Sequence, residues 1–213
     1  MSTEYWCPPH IYLAAVDDDV IALDLVKDLY FCLVEATHAI QPQSDGRVHL
    51  GIGGLDKDLL QAGIISHRPL ERRRPTLVKP QREATPSKTA PLGEVIRAGI
   101  ALARAHAIFQ GQSFPSLIRC RLPRSVRTRT AELGDLLAAA RQARPWIPFE
   151  GECLKRSFLL RRFLASNGVD TDWVFGVRTW PFAAHCWLQL GDVVVGDRLE
   201  RVNRFTPIMR VQS

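Results

Sequence analysis

Three residues in the last third of the chain have types that can do chemistry together: Cys153, His185 and Asp197. Cys153 opens an amphipathic run, directly after Gly151-Glu152. His185 starts the alternating segment His185-Cys186-Trp187-Leu188-Gln189-Leu190, and Asp197 closes the run Val193-Val194-Val195-Gly196-Asp197. A thiol at a helix start, with an imidazole and a carboxylate on neighbouring strands, supplies a nucleophile, its base and the orienter of that base. The chemistry such a set performs is acyl transfer through a thiolate. A thiolate at neutral pH requires a depressed pKa. A helix N-terminus helps, with exposed N–H donors and about half a positive charge. Gly151 lets the backbone turn sharply and approach a substrate closely.

Strand periodicity places His185 with Trp187 and Gln189 on one face, and Cys186, Leu188 and Leu190 on the other. Where Asp197 falls depends on the turn before it. A two-residue turn at Gly191-Asp192 would pair Leu190 with Val193 and His185 with Arg198, turning Asp197 away. A three-residue connection pairs Gln189 with Val193 and sets Asp197 opposite His185. A bulge at Gly196 has a similar effect. A working triad therefore predicts an odd loop or a bulge.

The elements that must position these residues are helices followed by strands. Leu92 to Phe109 and Thr130 to Gln142 carry helical apolar periodicity. A third helix begins at Cys153, with Leu154, Phe158, Leu160 and Leu164 inward and Lys155, Arg156, Arg161 and Arg162 outward; Asn167-Gly168 stops it. Three strands follow, at Asp172 to Thr179, His185 to Leu190 and Val193 to Asp197. Helices and then an antiparallel meander define an α+β domain over residues 92–213. Trp180-Pro181-Phe182 reads either as a rigid turn with buried aromatics or as a wall of a substrate pocket. Arg178 meets a substrate carboxylate or pairs with a nearby acid.

The first 67 residues form a second unit. Ile11 to Val16, Val20 to Val26 (with Asp24 facing out) and Leu29 to Val34 read as strands. Glu35 to Ile40 looks helical, and Leu55 to Ala62 forms a short helix that Gly63 ends. Three strands with a few short helices make a small winged-helix-like module. Between the units, residues 68–91 are rich in Pro, Ser, Thr, Lys and Arg, which predicts a solvated basic linker.

Bulk properties exclude several classes. The net charge of +6 is divided unevenly: residues 1–60 hold ten acids against three bases, net −7, leaving +13 for the remainder. The linker arginines stand beside no nucleic-acid motif and no interleaved aromatics, so no nucleic-acid partner is expected. No apolar run reaches the roughly 20 residues of a membrane helix, and no signal peptide is apparent. Five scattered cysteines (Cys7, Cys32, Cys120, Cys153, Cys186) lack metal-ligand spacing. They point to a reducing cytoplasm and to no metal. No P-loop or other cofactor motif occurs.

Three segments carry a family resemblance: Glu152-Cys153-Leu154-Lys155-Arg156-Ser157, then Val174-Phe175-Gly176-Val177-Arg178-Thr179, then Pro181-Phe182-Ala183-Ala184-His185-Cys186-Trp187. They resemble the lasso-peptide maturation B proteins, cysteine peptidases of transglutaminase-like (papain-like) α+β fold. The likeness spans about residues 150–200. Residues 1–67 resemble the leader-recognition element fused to some members, which binds a precursor's leader by strand addition beside a helix. Carried over, the docking edge is Leu29, Tyr30, Phe31, Cys32 and Leu33, and the flanking helix brings Asp56, Leu59 and Leu60. The resemblance implies that Cys153, His185 and Asp197 cleave leader from core. It also implies an ATP-dependent cyclase partner, with ATP required for activity in some members. The same triad would serve a transglutaminase or N-acyltransferase, and a chain with a vestigial triad would be a leader-binding scaffold. The Cys153 N–H is one natural oxyanion donor. Papain-type enzymes place a glutamine about six residues before the cysteine; Trp146-Ile147-Pro148-Phe149 offers none, so no second donor is named.

Overall fold

The computed structural model describes residues 4–51, 54–71, 74–76, 78–123, 132–146 and 153–212. By contacts the chain falls into two compact units. Residues 1–77, with 175–184 and 204–210, make the first; residues 78–174, 185–203 and 211–213 make the second.

The first unit is richer in strand than its sequence suggests. Its N-terminal part holds β1 (Tyr5–Trp6), β2 (Ile11–Val16), β3 (Asp19–Asp24), β4 (Leu29–Leu33), β5 (Ile40–Pro42), β6 (Arg47–Leu50) and one helix, α1 (Leu55–Gln61). They form two antiparallel sheets, ordered β2-β3-β4 and β1-β6-β5. Ile11, Val20, Ile40, Val48, Leu59 and Ile65 lie in one buried cluster, with Leu33, Leu55 and Leu60 packed against it. Three strands with several short helices were expected; among the described residues there are six strands and α1.

Two local expectations fail for identifiable reasons. Asp24 was expected to face out, yet it is buried. Its Oδ1 accepts the Val26 and Lys27 N–H groups at 2.9 and 3.1 Å, a side-chain-closed turn that joins β3 to β4. The stretch from Glu35 to Ile40 is not helical. Glu35 adopts φ 53° and gives its N–H to Asp19 Oδ1 at 2.9 Å, so the chain turns and enters β5.

The second part of the first unit is the turn after Arg178. Trp180 is 74% exposed and Phe182 50%, so the aromatics of this turn are not buried. Trp180 Nε1 donates to Asp19 Oδ2 at 2.8 Å, Thr179 Oγ1 to Asp17 Oδ2 at 3.2 Å, and the Phe182 ring lies 5.6 Å from that of Tyr30. Arg178 stacks its guanidinium over Phe205, 5.6 Å from the ring centroid.

In the second unit the helices are α2 (Leu92–Phe109), α3 (Phe114–Arg119), α4 (Leu133–Ala143), α5 (Cys153–Ser166) and α6 (Leu199–Val202). α2 packs on both α4 and α5. The rings of Phe109, Phe158 and Trp173 follow one another at 5.6 and 5.9 Å, tying α2 through α5 to the first strand of the sheet. That sheet has five strands in the order β11-β8-β9-β10-β7, comprising β7 (Arg82–Glu83), β8 (Asp172–Arg178), β9 (Ala183–Leu190), β10 (Val193–Val195) and β11 (Thr206–Val211). A three-stranded meander was expected; β7 and β11 extend it at both sides.

Residues 78–91 are not a solvated tether. β7 pairs in parallel with β10, Val193 against Arg82 and Val194 against Glu83. Ala84 N–H reaches Val194 O at 2.8 Å, Ser87 N–H reaches Gly134 O at 2.9 Å, and Arg82 grips Asp192 with two hydrogen bonds of 3.0 and 2.7 Å. Backbone pairing offsets an ordering cost that side-chain burial alone would not. Arg74, from the same basic stretch, donates to the carbonyls of Pro8 and Ile11 and stacks on Tyr12. Arg161, expected outward, is buried. Its guanidinium donates to the carbonyls of Thr171, Val211 and Gln212, and burial pushes its pKa down to about 10.

Candidate active site

Cys153 is the first residue of α5. It is held there by Ser157, one turn on, whose Oγ donates back to Cys153 O at 2.7 Å. His185 lies in β9, next to the covering strand β10. The turn between them is Gly191-Asp192, and the ladder pairs Val193 with Leu190, Val194 with Gln189 and Val195 with Leu188. The expected odd loop is therefore absent: the hairpin has the two-residue turn that, continued, would put Arg198 opposite His185.

The ladder does not continue. Strand β10 ends at Val195, and Gly196 takes a left-handed φ of 73°. That conformation favours glycine, and a Cβ there would also press on the Leu160 side chain, which would have to shift. That break redirects Asp197, whose Oδ2 meets His185 Nε2 at 2.6 Å, while its Oδ1 accepts the Arg198 N–H at 2.8 Å. The irregularity thus lies at Gly196, where the sequence allows a bulge, and not in the turn.

With Nε2 engaged by Asp197, Nδ1 is the ring nitrogen left over, and the Cys153 thiol is among the groups that act on the imidazole. Burial opposes a charged His185, but the hydrogen bonds to Asp197 and Cys153 outweigh it and hold the imidazole above its ordinary value. For Asp197, burial would raise the carboxyl; the bonds from His185 and Arg198 win and keep it below the usual carboxylate range. The Cys153 thiol is pulled down to about 4, foremost by a hydrogen bond from the Cys186 thiol, then, against burial, by His185 and the Cys186 N–H. A thiolate beside an imidazolium is the state these groups favour. The His185 ring stacks on Trp187 at 6.2 Å, and Trp187 Nε1 donates to Gln189 Oε1 at 3.0 Å. Gln189 Nε2 in turn donates to the carbonyls of Val78 and Gly191 at 2.8 and 2.6 Å.

Sequence reasoning missed two members of this site. Cys186 was read as facing away from His185's partner, and Ser157 was not singled out. Ser157 Oγ lies 3.3 Å from Cys186 Sγ and accepts Trp173 Nε1–H at 2.8 Å. An i+4 spacing from Cys153 was the available signal for Ser157. The oxyanion neighbourhood, Ile147 to Phe149, and the expected Gly151 hinge lie outside the described residues. Also among the described residues, no cluster of three His, Cys, Asp or Glu side chains is placed to hold a metal ion.

The expected peptide-binding residues are spread over the first unit. β4 is the outer strand of its sheet and carries Leu29, Tyr30, Phe31, Cys32 and Leu33, with Leu29 50% exposed and Leu33 packed on the core. Leu59 is buried inside the core, Leu60 packs against it, and Asp56 accepts the Tyr5 hydroxyl at 3.0 Å. In the structure the α1 residues take part in packing, and β4 is one of the two outer strands of its sheet.

The α+β fold and the sequence agree on a class. The profile of the Transglutaminase-like superfamily matches residues 96–210, more than half the chain, and the chain belongs to that superfamily. Over 49 residues it is 43% identical to the microcin J25-processing protein McjB of Escherichia coli. That stretch is 23% of this chain and 24% of the relative, which bears out the resemblance to lasso-peptide maturation B proteins over that span. No solved structure matches the chain. Among the described residues no helix is long and apolar enough to cross a membrane.

Proposed function

We propose that this chain is a cysteine peptidase of lasso-peptide maturation that binds a ribosomally made precursor through its leader and cleaves leader from core. The observation that supports it most is the 2.6 Å bond between His185 and Asp197, on a ring that helps to keep the Cys153 thiol below its ordinary value. In this reading the Cys153 thiolate attacks the carbonyl at the leader–core junction. The oxyanion forms beside the N-terminus of α5, where the Cys153 N–H is unpaired within the helix. Protonated His185 gives its proton to the leaving amine, which becomes the core's N-terminus. The neutral ring then takes a proton from water, whose oxygen attacks the thioester, and the leader leaves as an acid. Asp197 keeps the ring in one orientation throughout.

Leader capture falls to β4, whose open edge can accept an added strand. The named relative processes microcin J25; by analogy an ATP-dependent cyclase would take the freed amine here and join it to a carboxyl, and ATP would enter through that partner. The test is incubation of precursor with wild type and Cys153→Ala, with and without the cyclase and ATP, followed by mass spectrometry. Hydrolysed leader and core in the first and intact precursor in the second are expected. A product joined to an added amine would move the assignment to acyl transfer. Equal processing by both proteins would overturn it in favour of a binding scaffold.

A further inference from the structure

The register of β3 and β4 sorts their residues onto two faces. Val20 with Leu33, Ala22 with Phe31 and Asp24 with Leu29 share one; Ile21 with Cys32 and Leu23 with Tyr30 share the other. The first face packs on the core of the unit through Val20 and Leu33. Ile21 and Leu23 on the second are fully buried, so that face is covered as well. Part of the cover is the turn Thr179–Phe182, distant in sequence but within the same compact unit. Thr179 and Trp180 donate to Asp17 and Asp19 at 3.2 and 2.8 Å, and the Phe182 ring lies 5.6 Å from that of Tyr30. The cover stops at β4. Trp180 and Phe182 are exposed, Tyr30 is half-buried, and Cys32, on the same face, is exposed. An apolar step therefore follows the outer strand, built from two separate parts of the sequence. Charge marks its ends: Asp28 and Glu35, both exposed and both left-handed at φ 55° and 53°, bracket β4.

We propose that the turn Thr179–Phe182 is a wall of the leader site, and that a large apolar side chain of the leader seats against Phe182 on the Tyr30 face of the added strand. The inference rests on the leader-binding reading above and adds to it residues from outside the N-terminal segment. A peptide paired with β4 lies roughly 4.8 Å beyond it and alternates its side chains between the two faces. Those on the Tyr30 face come level with the exposed Phe182 ring. Those on the other face come level with Leu29 and Phe31. The wall is formed before the leader arrives, because the bonds to Asp17 and Asp19 anchor the turn, and a pre-formed wall lowers the ordering cost of binding. The Trp180 indole N–H is spent on Asp19, so this residue offers the leader its apolar ring and not its donor. Asp28, Glu35 and the net charge of −7 over residues 1–60 complete the chemistry of the occupant: an extended segment with large apolar residues at alternate positions and basic residues beyond them.

The experiment is a double-mutant cycle on the full-length protein, with a fluorescein-labelled synthetic leader peptide and its single-alanine variants as probes and anisotropy as the readout. Phe182→Ala should weaken binding of the unaltered leader by about tenfold. In the wild type, truncating one apolar leader position should cost a similar factor. In Phe182→Ala, truncating that same position should change affinity by about twofold or less, because its contact is already gone. Should Phe182→Ala fail to fold, Phe182→Leu takes its place, with a smaller loss and the same coupling. Losses that simply add, every leader position costing the same in both proteins, would mean that the turn acts through the fold, and would overturn the inference. Wild-type affinity in Phe182→Ala would overturn it too; either result leaves capture at β4 standing. A leader that does not bind the wild type at all would remove the leader-binding reading and this inference together.

Discussion

At the scale of single residues, the site depends on charges that stabilise one another. Because Cys153 is held at about 4 and His185 above its ordinary value, the thiolate–imidazolium pair exists between those two limits. Below the lower limit the sulfur takes up a proton and cannot attack; above the upper limit the ring has lost the proton the leaving amine needs. Peptide cleavage should therefore show a bell-shaped kcat/KM profile, and replacing His185 by Ala should move the onset of Cys153 alkylation upward, since an ion-pair partner and a hydrogen bond are lost together. Asp197→Asn keeps the shape of the side chain but lets the amide stabilise the wrong tautomer, and kcat should fall roughly 10⁴-fold with little change in KM. Residue types and order were enough to find Cys153, His185 and Asp197 in the sequence. Cys186 and Ser157 were not legible there: their role comes from a corner shared by α5, β8 and β9, and alternation alone assigns Cys186 to the opposite face. Whether a side chain on a strand leans toward a neighbouring helix is a property of packing, not of period.

At the scale of elements, helices were easiest to read because burial on one side imprints a 3.6-residue period; the bounds of α2 and the start of α5 agree with the sequence pattern. β7 left no such trace. Two residues inside a proline-rich stretch join the sheet by backbone bonds alone, and backbone bonds have no side-chain signature. This gives a contrast between two substitutions. Ala84→Pro removes the N–H that bonds Val194 O, leaves a buried carbonyl unpaired, and suits the extended Glu83 before it. It should destabilise by about 1–3 kcal/mol in urea unfolding, whereas Arg82→Ala, which removes an exposed ion pair, should leave the midpoint unchanged. The end of β10 provides a second test. Gly196→Ala imposes a left-handed conformation on a residue with a Cβ and drives that Cβ into Leu160. Asp197 would be displaced from His185, so activity should fall far more than stability, with a pH profile that loses its upper limb's position. If Gly196→Ala retains full kcat, the left-handed break is not what aims the carboxylate.

At the scale of the whole chain, the proposed reading gives recognition and chemistry to different residues: an acidic first segment that holds the outer strand β4, and a basic remainder that holds Cys153, His185 and Asp197. The reason for joining them is kinetic. Once a leader is held by one part of a protein, its junction is presented to another part at an effective concentration near the millimolar range, and binding of a short junction sequence no longer has to be tight. Under that proposal the site around Cys153 would be free to accept varied cores, with specificity set at β4. This division makes a quantitative claim about substrates. A peptide that spans the junction but lacks the leader should be cleaved by the same triad, yet with kcat/KM lower by roughly 10²-fold or more, mostly through KM. Free leader added in excess should inhibit cleavage of the full precursor competitively and leave cleavage of the short peptide unaffected. Phe31→Asp, on the partly exposed outer strand, should weaken leader binding by about tenfold or more by putting a charge where an apolar strand is to lie, as read by fluorescence anisotropy of a labelled leader. The same variant should cleave the leaderless peptide at the wild-type rate. If Phe31→Asp instead slows both substrates equally, β4 supports the fold rather than the leader, and the recognition site lies elsewhere on the chain.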